Sequence, residues 1–231
     1  MDVQERMNSY WTRRAPSYDD HQRRSGRAAL DRQVWQEIWT GVLPGARDVL
    51  DVGTGSGYVA HLLAGLGHRV TGIDLAGGML ERAREHGGTA VFRAGDAVDP
   101  PFPAASFDAV VNRYVVWTLR DPVAAVRNWR KVLRPGGILA VVDGAWFPDG
   151  LHAGATEEFR HWYDESVRAE LPLAEGSAGE ALSDLLRTVG FTDVRTRPLT
   201  ALLDLDHEHG VAPGHQPTLQ FLTTARRGDH P

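Results

Sequence analysis

The sequence predicts an α/β fold in which a parallel sheet lies between layers of crossover helices. Three observations predict it. Strand-like and helix-like segments alternate along the chain, the pattern of successive strand-helix-strand units. An apolar strand, Val49-Leu50-Asp51-Val52, ends in an acid and runs into Gly53-Thr54-Gly55-Ser56-Gly57. A second strand, His68 to Asp74, ends in another acid at close to the offset of about 20 residues at which a carboxylate takes ribose hydroxyls. In open α/β sheets ligands bind just outside the carboxyl ends of the strands, so both acids belong to one crevice.

The elements follow in order. Leu30, Val34, Ile38 and Val42 recur every four residues and suit one helix over 28–42, which Pro44-Gly45 stops. Strands are expected at about 47–52, 68–74, 89–94, 107–113 and 137–143, with helices at about 57–66, 76–86 and 121–133 between them. Asp121-Pro122 opens the last of these helices, with Asp as cap and Pro at the first helical position; Arg134-Pro135-Gly136-Gly137 is the matching stop and turn. Residues 145–178 lengthen the next crossover and carry Trp146, Phe147, Phe159, Trp162 and Tyr163, so they are expected to form a cap around a helix at 156–170. A helix at about 179–189 and two final strands, at about 191–205 and 218–226, complete the chain.

The ligand follows from the spacing and charge of the turn. Glycine accepts positive φ and lets a ligand approach bare main chain. The dinucleotide fingerprint is G-x-G-x-x-G, whereas here the third glycine comes one residue early and Asp51 precedes the turn. A carboxylate there repels a pyrophosphate and favours a cation or an amine. A dehydrogenase binding NAD is the disfavoured competitor, and a cationic ligand carrying a ribose is the expectation.

With both acids placed, the chain resembles the class I S-adenosylmethionine-dependent methyltransferases of the small, UbiE-like kind. The motifs that carry the resemblance are Asp51 to Gly57, Gly72-Ile73-Asp74-Leu75-Ala76, Gly95-Asp96-Ala97, Phe107 to Arg113 and Leu133 to Gly137, in the family's order and spacing. The resemblance implies a Rossmann-like three-layer sandwich with a seven-stranded, mostly parallel sheet, the antiparallel last strand inserted between the fifth and sixth. It implies S-adenosylmethionine as cofactor and S-adenosylhomocysteine as product. Gly53 and Gly55 then pass under the methionine part, Asp74 holds both ribose hydroxyls, and Leu75 covers one adenine face; Asp51, Thr54 and Met79 belong to the same cofactor-binding set. Asp96 with Ala97 meets the adenine edge, next to Gly95 of the same cofactor-binding motif, and Asn112 and Arg113 close the site from the fourth strand. Tyr10, Trp11 and Tyr18 belong to an N-terminal segment that closes over the cofactor as a lid; an amphipathic helix packed on the domain is the plainer alternative. Arg14 is a candidate partner of the cofactor carboxylate, against an ordinary exposed arginine.

Tyr114, Trp117 and Trp146 are expected to line the acceptor pocket, and His21, His152 and His161 are the candidate bases among ten histidines. Asp206-His207-Glu208-His209 with His215 has the chemistry of metal ligands, but it falls in the expected hairpin loop and no metal is assigned. Composition sets the remaining bounds. With 231 residues and 42% hydrophobic residues, the chain fits a single domain, divided into a lid (1–44), a cofactor core (45–144), a cap (145–178) and a terminal helix with strands (179–231). A net charge of -5 argues against nucleic acid, the absence of cysteine removes thiolate chemistry, and no apolar run reaches the roughly 18 residues of a membrane span. The expected setting is cytoplasmic, as monomer or homodimer, with a small-molecule methyl acceptor and neither nucleic acid nor membrane as partner. Expected first is methyl transfer to an oxygen or nitrogen of a small aromatic or apolar metabolite. Carbon methylation of a quinone precursor and a non-methylating cofactor-binding role are the alternatives.

Overall fold

The computed structural model describes residues 1–24, 26–175, 178–211 and 216–228. Its strands are β1 (Asp48–Val52), β2 (Arg69–Asp74), β3 (Val91–Ala94), β4 (Phe107–Arg113), β5 (Leu133–Gly144), β6 (Phe191–Pro198) and β7 (Gln220–Arg227). They form one seven-stranded sheet in the order β3-β2-β1-β4-β5-β7-β6. β1 to β5 pair in parallel, and β7 lies antiparallel between β5 and β6. The helices are α1 (Val3–Gln22), α2 (Ala28–Val42), α3 (Tyr58–Gly65), α4 (Gly77–Glu85), α5 (Pro122–Val132), α6 (Glu157–Trp162), α7 (Glu165–Ala169), α8 (Ala178–Thr188) and α9 (Thr200–His209). Among the described residues no helix is long and apolar enough to cross a membrane.

Alternation along the strands builds the layers. Val49, Ala109, Val111 and Ala140 turn to a core shared with Trp35 and Trp39 of α2 and Val59 and Leu63 of α3. Leu50, Val52, Val110, Leu139 and Val141 turn to the opposite core, against Val126 and Trp129 of α5 and Leu182 and Leu186 of α8. Both faces are covered, which is why these strands read as nearly continuous apolar runs.

Three local expectations need correction. β5 starts at Leu133, not after the glycines: Phe107 pairs with Leu133 and Ala109 with Ile138, so Arg134 to Gly137 form a bulge, with Gly136 at φ 72°. The cap helix is two helices, because the Asp164 side chain accepts from the backbone N–H groups of Ser166 and Val167 and starts α7. The final connection is no simple hairpin. β6 ends at Pro198 and α9 follows, burying Leu202 against the α2 face and pairing Asp206 with Arg27. The Asp206-to-His209 run is therefore helical, and His215 lies outside the described residues.

Helix α1 is a 20-residue element begun by a capping box of Asp2 and Glu5, with Pro16 in its interior. Proline has no N–H to give the carbonyl four residues back, which is that of Thr12. That carbonyl lies against the first turn of α4, where a Cβ on Gly78 would come within 2.6 Å of the Thr12 oxygen. The helix pair closes only because Gly78 has no side chain. Gly78→Ala is expected to push α1 off α4 and to cost about 1–3 kcal/mol, the scale of overpacking. Denaturant unfolding would measure it; an unchanged midpoint would mean that the contact is slack.

Candidate functional site

The carboxyl ends of β1, β2 and β4 meet at one edge, and the chain leaves β1 there in a glycine turn. Gly53, Gly55 and Gly57 have φ of 64°, 55° and 80°. Gly53 is constrained twice, since a Cβ would also lie 2.5 Å from Val115 Cγ2. Both acids hold the turn in place. Thr54 Oγ1 donates to Asp51 Oδ2 at 2.7 Å, the Gly55 N–H to Asp74 Oδ2 at 2.9 Å, and the Ala76 N–H to Asp74 Oδ1 at 2.8 Å. Gly72 gives Thr54 its room, as a Cβ there would sit 2.6 Å from Thr54 Oγ1.

Burial sets the electrostatics. Asp51 is 1% exposed, and desolvation pushes its carboxyl up to about 7, against the Thr54 bond and the positive charge of Arg113. Burial also raises Asp74, against its backbone hydrogen bonds. Asp143, the buried acid near the end of β5, is raised to about 6 by burial, although the N–H groups of Gly144 and Val116 and Trp146 Nε1 all donate to it. It staples the start of the cap to the turn after β4. The guanidinium of Arg113 lies over the rings of Trp35, Tyr58 and Tyr114, 5.2, 4.8 and 4.7 Å from their centroids. Tyr114 has φ 65°, a strained conformation for a non-glycine residue, and its hydroxyl donates to Gln220 Oε1 at 2.6 Å.

Helix α1 roofs this edge. Trp11 and Tyr18 pack on Ala15, Ala76 and Met79, and Trp11 Nε1 donates to Tyr163 Oη at 2.8 Å. Tyr10 is edge-on to Trp11, Phe159 and Tyr163, while Trp117 meets Trp11, Phe147 and Tyr163. Arg6 ties the helix to the cap through Asp164 and the His161 carbonyl. Beneath α1 lies a small cavity of about 30 Å³, bordered by Tyr18 and Gln22 of the helix and by Asp51, Gly53, Thr54, Gly55, Ser56, Val59 and Arg113.

Of the residues singled out in the sequence, Tyr18, Asp51, Gly53, Thr54, Gly55 and Arg113 thus share one cavity, and Asp74 anchors its floor. Asp96 Oδ1 accepts from the Val98 N–H, and the Ala97 carbonyl accepts from Trp129 Nε1, which ties the turn after β3 to α5. Asn112 is fully buried with neither amide atom partnered. Tyr114 and Trp146 meet edge to face at 4.8 Å. The three histidines do not border the cavity: His152 Nε2 meets the Tyr163 carbonyl, His161 stands edge-on to Trp162, and His21 lies on α1 near Arg24. Arg14 bonds Ser17 on α1 and also stays outside it. Gln22, Ser56, Asp143 and Gln220 escaped the sequence reading. Gln22 stands one helical turn after Tyr18, and Asp143 near the end of β5 repeats the acid-at-strand-end signal of Asp51 and Asp74, so those two had a signal to find.

Residues 50–141 match the model of a methyltransferase domain. Over 241 aligned residues the chain is 30% identical to the malonyl-[acyl-carrier protein] O-methyltransferase of Serratia marcescens, covering 96% of this chain and 89% of that protein. The chain belongs to the S-adenosylmethionine-dependent methyltransferases. It is also 32% identical to the demethylmenaquinone methyltransferase of Clavibacter sepedonicus, over 78% of this chain and 80% of that one. Among solved structures, an S-adenosylmethionine-dependent methyltransferase from Thermotoga maritima superposes with a TM-score of 0.66 at 19% identity, covering 96% of this chain and 99% of that chain, which supports the fold. S-adenosylmethionine is therefore the methyltransferase's cofactor. The residues present suit it: two carboxylates and a guanidinium stand at one edge. Gln22 Oε1 and Ser56 Oγ, both bordering the cavity, are buried without partners.

Proposed function

We propose that this methyltransferase transfers the methyl group to an oxygen or nitrogen of a small, aromatic or largely apolar metabolite. One observation carries the proposal: Tyr10 and Trp11 of the lid and Trp117, Phe147, Phe159 and Tyr163 of the cap side form one cluster of rings beyond the strand ends. These rings pack edge-on and stacked against one another, and in this reading a planar, apolar acceptor extends the same packing. In this proposal residues 1–44 are the lid, 45–144 hold the cofactor, 145–178 cap the acceptor and 179–231 complete the sheet.

The cofactor supplies a methyl group already activated on a sulfonium centre. The chain's own residues bind and orient. The glycine turn and Asp51 hold the amino-acid end, Asp74 takes the ribose, and Leu75, Met79, Asp96 and Ala97 enclose the base. α1 and the cap exclude water, which strengthens the charge effects inside. Alignment of the acceptor can supply up to about 7–11 kcal/mol of the barrier reduction. A phenol or carboxylate then needs no strong base, and His21, on α1 next to Gln22, is the first imidazole to test for a less acidic hydroxyl.

Radiolabelled methyl transfer to a panel of phenols, carboxylates and amines tests the proposal, with a malonyl thioester of a carrier protein and demethylmenaquinone included. Label on a small phenol, carboxylate or amine is the expected result. Label on demethylmenaquinone carbon alone would move the enzyme to quinone methylation. Binding of S-adenosylhomocysteine with no label on any acceptor would favour a non-methylating role.

A further inference from the structure

We infer that a groove beside α2 is a second ligand site, built for an organic anion with an apolar body: a carboxylate or phosphate carried on an aliphatic or aromatic group. The inference is independent of the acceptor class and of how the cofactor is held.

The last two strands place three arginines on one face. The hydroxyls of Thr196 and Thr223 meet at 2.9 Å, and Thr196 also meets Ser183 of α8, so these threonines turn to the α8 side. Neighbours along a strand point the opposite way, which turns Arg195 and Arg197 of β6 to the α2 side. In β7, Leu222 stands opposite Arg197 and Thr224 opposite Arg195, and Arg226 follows two residues later on the same face. Leu222 belongs to the core shared with α2, which fixes that face independently.

Between these arginines and the end of α2 lies a groove of about 660 Å³, within the range of about 300–1,000 Å³ usual for small-molecule sites. Val42 and Pro44 border it on one side and Ile138 and Leu222 from the sheet, with the arginines completing the lining. It shares no lining residue with the cavity beneath α1.

Charge decides the occupant. The chain carries a net charge of -5, yet this lining sets three arginines against one acid, Asp193. Arg226 Nη1 donates to the Gly136 carbonyl at 3.0 Å, whereas Arg195 and Arg197 have no hydrogen-bond or ion-pair partner among the described residues. Low-dielectric walls concentrate the positive field within a cleft of one sign. Two uncommitted guanidinium forks suit the oxygens of a carboxylate or phosphate, and the aliphatic lining takes the rest of the molecule. An inorganic ion would leave that lining unused, and a neutral apolar molecule would leave both forks unused.

Calorimetric titrations with octyl phosphate, octanoate, 1-octanol and inorganic phosphate, all at saturating S-adenosylhomocysteine, test the site. The two amphipathic anions are expected to bind, and octanol and inorganic phosphate to bind at least about 10-fold more weakly, each lacking one half of the recognised chemistry. The tighter of the two anions identifies the headgroup. Arg195→Gln combined with Arg197→Gln is expected to weaken both anions by about 10-fold or more and to leave the affinity for S-adenosylhomocysteine unchanged. Asp193→Asn, which removes the one acid on the lining, should tighten them by about 2- to 3-fold. Octanol binding as tightly as the anions, inorganic phosphate matching octyl phosphate, or anion affinities that neither variant moves would overturn the inference.

Discussion

Asp74→Ala is expected to weaken S-adenosylhomocysteine and 5′-methylthioadenosine alike, by about 1.5–3 kcal/mol or roughly 10- to 150-fold, the scale for hydrogen bonds to a charged group. Both ligands carry the ribose, so the loss should not depend on the amino-acid end. The carboxylate also organises the turn: its two oxygens accept from the N–H groups of Gly55 and Ala76, one on each side of the crevice. Alanine leaves both donors without their acceptor and is expected to lower stability by about 1–3 kcal/mol as well. Asparagine is no simple rescue, because its amide nitrogen would face one of those N–H groups. Calorimetry on the folded variant separates the two effects. An affinity equal to wild type for both ligands would place the ribose elsewhere.

The glycine turn and its acids were legible because their signals are local. A strand ends, an acid stands at its carboxyl end, and glycines follow at positive φ. The antiparallel insertion of β7 between β5 and β6 came from the resemblance, and the sheet order bears it out. What was missed depends on residues far apart in the chain. Residues 191–205 pass for one strand until Leu202 finds the α2 face and Asp206 pairs with Arg27, 179 positions away. Leu199, Leu202 and Asp206 do recur at helical spacing, but a short run of that kind is outweighed by strand-like neighbours unless the packing surface is known. Nothing local to Gly53 says that Val115 fills the space its Cβ would take. Arg113 was placed at the site, but its aromatic box draws on α2, α3 and the turn after β4, and only the fold brings those rings together.

The pH dependence of the free enzyme should run opposite to ordinary acid denaturation over the range where Asp51 titrates. Burial raises Asp51 from 3.8 to about 7, so between those values the folded chain binds a proton that the unfolded chain has released. Stability contributed by this group therefore falls as pH rises, by about 1.4 kcal/mol per unit and about 4 kcal/mol in all if it acts alone; it is highest below pH 4 and gone above 7. Asp143, raised from 3.8 to about 6, adds the same sign over a narrower window. Unfolding midpoints of the free enzyme are expected to climb as pH falls from 8 to about 5, and Asp51→Asn should flatten most of that slope. Ligand binding reverses the balance. An ammonium group seated at Asp51 favours the carboxylate, so S-adenosylhomocysteine should bind more tightly as pH rises towards 7 and release up to about one proton below it. Titration at pH 6 in buffers of different ionisation enthalpy would count that proton. No proton release, together with an affinity flat from pH 5 to 8, would mean that the ammonium group does not meet Asp51; 5′-methylthioadenosine, which has no such group, should show that flat behaviour in the wild-type enzyme.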